Sequence, residues 1–182
     1  MGRLDRLQTV LVVVDVQERL MPVIHDGDAT ARNIERLIRG AQILGVPVIV
    51  TEQYTKGLGI SIEPLRNALG DAYRPIEKEC FSAHGCAPFK AQLTALERRQ
   101  ILLAGVETHV CVYQTAGDLV MAGYAVHVVA DAVSSRTPEN RELALRRLVS
   151  DGVKLSSTEM ALFELIRVAG TDEFRAISRL IK

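Results

Sequence analysis

The chain has 182 residues, of which 48% are apolar and 24% charged, and its formal net charge is +0. That balance excludes disorder and a general electrostatic attraction to nucleic acid, and the length fits one domain, residues 1–182, with a sizeable core. No stretch reaches the length of a membrane span, and Met1-Gly2-Arg3-Leu4-Asp5-Arg6 lacks an apolar signal core, so a cytoplasmic protein is expected. In chain order, Val10 to Val14 is an apolar, mostly β-branched run, the pattern of a strand buried on both faces of a parallel sheet. Ala29 to Leu44 carries Ile34, Leu37, Ile38, Ala41 and Leu44 at helical spacing, and Gly45 stops it. Val46 to Val50 is a second strand with a tolerable early proline, and Glu52 to Gly59 is a polar, glycine-bearing loop.

A third strand ends near Lys78, and Ala87 to Leu96 is helical. Ile101 to Ala104 is the next strand, followed by a helix from Tyr113 to Met121 that Gly123 ends. Tyr124 to Ala130 is a strand, and Pro138 to Ser150 is a helix with proline in its first turn. Val153-Lys154-Leu155 is a short strand. Ser157 or Thr158 caps a helix to Val168, and Glu173 to Ile181 forms the last one. Strands alternating with helices predict an α/β fold with a parallel sheet.

Three residues carry the chemistry. Cys111 lies at a strand-to-helix turn, where unpaired N–H groups and the helix dipole favour a thiolate, a strong nucleophile. Taken alone it reads more readily as a small buried apolar residue, which is what most free cysteines are. Asp15 ends the first strand, at the sheet edge where open α/β sheets bind ligands; an N-cap or loop role is the plain alternative. Lys78 lies in Pro75-Ile76-Glu77-Lys78-Glu79-Cys80-Phe81-Ser82, where a solvated lysine is the ordinary case. All strand carboxyl ends of a parallel sheet share one edge, so the three can meet. There Asp15 acts as general base and acid, and Lys78 supplies a cation to both partners.

Together, Asp15, Lys78 with Phe81-Ser82, Gly105-Val106-Glu107-Thr108-His109-Val110-Cys111-Val112 and Ala130-Asp131-Ala132-Val133 with Ser134-Ser135-Arg136 resemble the isochorismatase-like cysteine hydrolases. That group includes nicotinamidases and carbamoylsarcosine amidases, and the likeness runs from about Thr9 to about Phe163. It implies a Rossmann-like three-layer αβα sandwich with a six-stranded parallel sheet. It also implies an Asp15-Lys78-Cys111 triad, a cis peptide between Val106 and Glu107, self-association into a homo-oligomer, and a thioester route for C–N bonds. The backbone N–H groups of Glu107 and Cys111 are the candidate oxyanion donors.

The sequence departs from the nicotinamidase metal motif. Thr51-Glu52-Gln53-Tyr54-Thr55-Lys56-Gly57 stands where an Asp-x-His pattern is expected, so no metal and no cofactor are predicted. Gln17, Gln53, Tyr54, Phe81 and His109 are the candidate substrate contacts. The expected partners are a small-molecule substrate, most simply a neutral amide, and further copies of the chain, with neither nucleic acid nor membrane. The competing readings are a catalytically quiet binding or scaffold protein of the same fold and a vinyl-ether hydrolase. A redox role for Cys111 with Cys80 or Cys86 is a third. Gln17 replaces the second aspartate that a haloacid-type phosphatase needs.

Overall fold

The computed structural model describes residues 2–182. Its elements in chain order are β1 (Thr9–Val14), α1 (Gly27–Ile43), β2 (Val48–Gln53), α2 (Thr55–Leu58), α3 (Glu63–Leu69), β3 (Ile76–Lys78) and α4 (Ala87–Ala95). They continue with β4 (Gln100–Val106), α5 (Tyr113–Met121), β5 (Ala125–Ser134), α6 (Pro138–Ser150), β6 (Lys154–Ser156), α7 (Thr158–Ile166) and α8 (Asp172–Ile181). One turn of π-helix over Thr108–Val112 leads directly into α5.

The six strands form one parallel sheet in the order β3-β2-β1-β4-β5-β6. Every residue of β1 is buried, as a strand covered on both faces requires. Its side chains alternate between two cores. Leu11 and Val13 pack with buried residues of α1, α3, α7 and α8; Val10, Val12 and Val14 pack with those of α4, α5 and α6. The αβα sandwich follows from that alternation. Ser157, Thr137 and Thr171 each accept a backbone N–H at the start of α7, α6 and α8.

Several boundaries differ from the sequence expectations. β2 starts at Val48 and runs on through Glu52 and Gln53, which read as loop. These two residues pair with Glu77 and Lys78, so a neighbouring strand keeps them extended. The loop beyond narrows to a single helical turn, α2. β5 extends to Ser134 because Val133 and Ser134 pair with Gly105 and Val106 after a register shift. α3 has no counterpart among the expectations; its seven residues bury only Leu65, Ala68 and Leu69. The apolar helix positions Ala116, Leu119, Val120, Ala161, Leu162 and Leu165 suit either contact between copies or packing on the sheet; five are buried in the chain's own cores, and Val120 is half-buried against the same core.

One glycine is fixed by a close approach. Gly105 has φ of 121°, and a Cβ there would lie 2.1 Å from the Val14 carbonyl oxygen and 2.6 Å from its nitrogen. Val14 and Gly105 are partners in the β1–β4 pairing. Gly105→Ala therefore collides with rigid backbone as well as adopting a disfavoured φ. The expected loss exceeds the roughly 1–3 kcal/mol of strained backbone alone; chemical denaturation measures it, and a wild-type midpoint would show that the two strands can separate at no cost.

Candidate active site

The strand order reverses between β1 and β4: the chain leaves β1 toward β2 on one side, while β4 begins the other wing. A crevice opens at the carboxyl ends of such a pair. Asp15 follows β1 immediately, and Cys111 follows β4 by way of Glu107 and the π-turn. Lys78 ends β3, two strands away, and its long side chain reaches past β2 to the same place.

Asp15 is fully buried in a left-handed conformation, φ 55°, which aspartate tolerates better than most residues. Its backbone N–H donates to the Thr51 carbonyl at 3.1 Å. The Thr51 hydroxyl donates to Oδ1 at 2.7 Å, and the Lys78 ammonium donates to Oδ2 at 2.6 Å. Lys78 Nζ also donates to Gln53 Oε1 at 2.7 Å, the Phe81 carbonyl at 3.1 Å and the Cys80 carbonyl at 3.2 Å. Four acceptors surround three ammonium protons, an environment made for a charged lysine. Burial raises the Asp15 carboxyl above its ordinary range, against the opposing pull of Lys78 and Thr51.

Cys111 is 7% exposed. Burial first, and then the Asp15 charge, push its thiol up to about 12, with Lys78 acting in the opposite direction. The thiolate that the helix terminus suggested is thus not the resting form. Two causes that sequence position does not show, desolvation and a neighbouring carboxylate, outweigh the cation. Resting Cys111 is a thiol beside a potential proton acceptor.

The remaining candidates fall into different settings. The Val106–Glu107 peptide is cis, and the Glu107 carbonyl accepts from Val110 and Val112 at 3.1 and 3.2 Å. Gln17 is fully buried and its amide is committed to backbone: Oε1 accepts from Gln53 N–H at 2.7 Å, and Nε2 donates to the Gln53 and Gly59 carbonyls. It ties the ends of two loops together rather than facing a substrate. Gln53 likewise serves Lys78 and, through Nε2, the Glu79 carbonyl at 2.7 Å. Tyr54 and Phe81 are each 53% exposed, on the loops after β2 and β3. His109 is half-buried, with Nδ1 3.0 Å from Ser135 Oγ.

Sequence reasoning gave no role to Thr51 or to Arg136, although Arg136 lies in a stretch that carries the family likeness. Thr51 lies beside Val14 in the β1–β2 register, and that alignment is its only signal. Arg136 binds the Glu107 carboxylate at 3.0 Å through its N–H and 3.1 Å through Nε, tying the chain after β5 to the turn that carries Cys111. Where a metal motif was sought, Glu52 Oε1 accepts from Ser61 N–H and Oγ, each at 2.7 Å, and from the Tyr73 hydroxyl. Among the described residues no group of three or more His, Cys, Asp or Glu is arranged to hold a metal. No helix among them is long and apolar enough to cross a membrane.

The structure thus gathers a buried carboxylate, ammonium and thiol at the switch point of the sheet. The family model described as "Isochorismatase domain" matches residues 9–160, and the chain belongs to this family. The secreted isochorismatase effector Isc1 of Phytophthora sojae is 40% identical over 185 residues, spanning 100% of this chain and 88% of that protein. The solved structure of MAR1 ribonuclease from Caenorhabditis elegans has 35% identity and a TM-score of 0.92, covering 99% of this chain and 92% of that one. YcaC from Pseudomonas aeruginosa, solved with hexane-2,5-diol and covalent acrylamide, has 25% identity and a TM-score of 0.89, covering 99% and 96%. The family assignment supports a hydrolase.

Proposed function

We propose that the protein hydrolyses a C–N bond of a small neutral amide through a thioester on Cys111. The observation that carries this reading is the Lys78 ammonium, buried 2.6 Å from Asp15 at the sheet edge that also holds the thiol. Cys111 Sγ attacks the amide carbon as its proton passes to Asp15. Concerted transfer suits a thiol whose free ionisation lies near 12 and a carboxylate made more basic by burial. The backbone N–H groups of Glu107 and Cys111 stabilise the oxyanion. Collapse breaks the C–N bond, and Asp15 returns the proton to the departing amine. Water then attacks the thioester, giving its proton to Asp15, and the acid leaves as the thiol is restored.

Lys78 acts as a fixed charge in this scheme. Its three protons are occupied within the protein, leaving none to hold a substrate carboxylate. That favours a neutral amide over a dianion such as isochorismate, the vinyl-ether alternative. The formal charge of +0 likewise supplies no overall attraction to RNA, the substrate class in the name of the worm relative. The three cysteines are free, which suits work in a reducing cytoplasm. The protein also self-associates on this reading: light scattering at micromolar concentration is expected to give a mass above the 20.0 kDa of one chain, and a monomer mass would rule self-association out.

The deciding test is mass spectrometry after incubation with a panel of small amides, where an acyl adduct on Cys111 is expected. Acrylamide, an amide that alkylates thiols and is bound covalently in the YcaC structure, is a second probe. Its labelling of Cys111 should saturate with concentration, as binding in a site requires. Iodoacetate, an anion with no amide for the site to hold, should label the exposed Cys80 first and Cys111 later, at a rate rising about tenfold per pH unit below the thiol's ionisation. Fast iodoacetate labelling of Cys111 at pH 7 with no pH dependence would show a resting thiolate and remove the concerted step.

A further inference from the structure

The cage around Lys78 depends on a loop, and that loop is fastened to the helix that follows the nucleophile. Residues 79–83 supply two of the four acceptors of the ammonium, the Cys80 and Phe81 carbonyls. On the β2 side the loop is held through the Glu79 carbonyl, which accepts from Gln53 Nε2. On the α5 side Ser82 Oγ donates to Asp118 Oδ2 at 2.6 Å, and the buried Ala83 N–H donates to Thr115 Oγ1 at 2.9 Å. Thr115 is fully buried, and Ser82 is 8% exposed. Thr115 and Asp118 stand four and seven residues beyond Cys111, a spacing that sets all three along roughly one side of the helix.

We propose that Asp118 and Thr115 are positioning residues of the hydrolase, holding loop 79–83 in the register at which its carbonyls fix the Lys78 ammonium against Asp15 and Cys111. This role rests on the functions proposed above for those three residues. A lysine head on a four-carbon stem has no preferred direction of its own; its position in the site is that of its acceptors. The bond to the Asp118 carboxylate is charge-assisted and thus the stronger of the two fastenings. The π-turn that carries Cys111 runs directly into the helix that carries the loop's anchors, Thr115 and Asp118, so cation and thiol keep a constant separation.

The test compares Ser82→Ala, Asp118→Ala and Asp118→Asn by turnover of the best amide, thermal melting and the pH dependence of Cys111 labelling by acrylamide. Ser82→Ala and Asp118→Ala should each lower kcat about 10- to 100-fold, the scale for a displaced catalytic group, with KM nearly unchanged. The double variant should be no worse than either single one, because both remove the same bond. Asp118→Asn keeps an acceptor for Ser82 and should retain most activity. The labelling curve should move to higher pH in both alanine variants. Loss of the Asp118 charge by itself would move it to lower pH, so an upward shift reports a displaced Lys78, which a purely structural role would not produce.

Wild-type kcat and an unmoved labelling curve in Ser82→Ala and Asp118→Ala would overturn the proposal. So would reduced activity that follows melting temperature alone. If Asp118→Ala does not fold, the charge-neutral Ser82→Ala decides. Cys111→Ala is the control: its inactivity together with normal alanine variants removes only the positioning role, whereas retained turnover removes the hydrolase reading and this role with it.

Discussion

Cys111→Ala is expected to lower turnover by at least about 10³-fold while the protein melts near the wild-type temperature. Removing a covalent nucleophile commonly costs that much or more, because the residual rate draws only on binding and oxyanion contacts. The change deletes one sulfur from a residue 7% exposed in the core shared with α4, α5 and α6, a packing loss of about 1 kcal/mol, the scale of one buried methylene. Cys111→Ser should be nearly as poor, since a hydroxyl beside Asp15 is a weaker nucleophile than a thiol. Steady-state kinetics with calorimetry separates activity from folding. Full turnover with normal melting would dismiss the thioester route.

The largest effect on stability is expected from Lys78→Met. It leaves the fully buried Asp15 carboxylate without its cation, and breaking a buried ion pair from one side costs about 3–5 kcal/mol. Asp15 is already raised by burial, and loss of Lys78 raises it further. Above the ordinary aspartate range the folded variant then binds a proton that the unfolded chain has released. Its stability therefore falls as pH rises and recovers as pH drops toward that range. Asp15→Asn in the same chain removes the unpaired charge and should restore much of the loss. By itself, Asp15→Asn should reduce turnover about 10²–10⁴-fold, the usual contribution of a general acid–base group. Denaturation of the single and double variants between pH 5 and 9 checks this. Equal stability of Lys78→Met and wild type across that range would mean the pair is not buried as described.

Much of the fold was legible because β1 and β4 are continuous apolar runs and the helices alternate with them at clear periods. Pairing was less legible. Glu52 and Gln53 are polar and read as loop, yet β3 holds them in the sheet, and only a partner strand shows that. The positions of Asp15, Lys78 and Cys111 at the sheet edge were legible from strand ends and from family likeness. The charge state of Cys111 was not: burial depth and the facing carboxylate are properties of the assembled site. Gln17 and Gln53 read as candidate substrate contacts because they stand in loops near Asp15, Lys78 and Cys111. Their actual work, binding loop carbonyls and the Lys78 head, depends on residues about 25 to 42 positions away in the chain.

The reversal of strand order between β1 and β4 also bears on biosynthesis. Asp15 and Lys78 belong to the wing built from β1 to β3, and Cys111 to the wing that begins at β4. β1 is the seam between them, paired with β2 on one edge and β4 on the other. Under the thioester route proposed above, a nascent chain that has completed only its first wing would hold the base and the cation without Cys111. Once made, Cys111 would remain an ordinary thiol until β4 docks along β1 and brings it against the carboxylate. Its reactivity would then arise only as the two wings close.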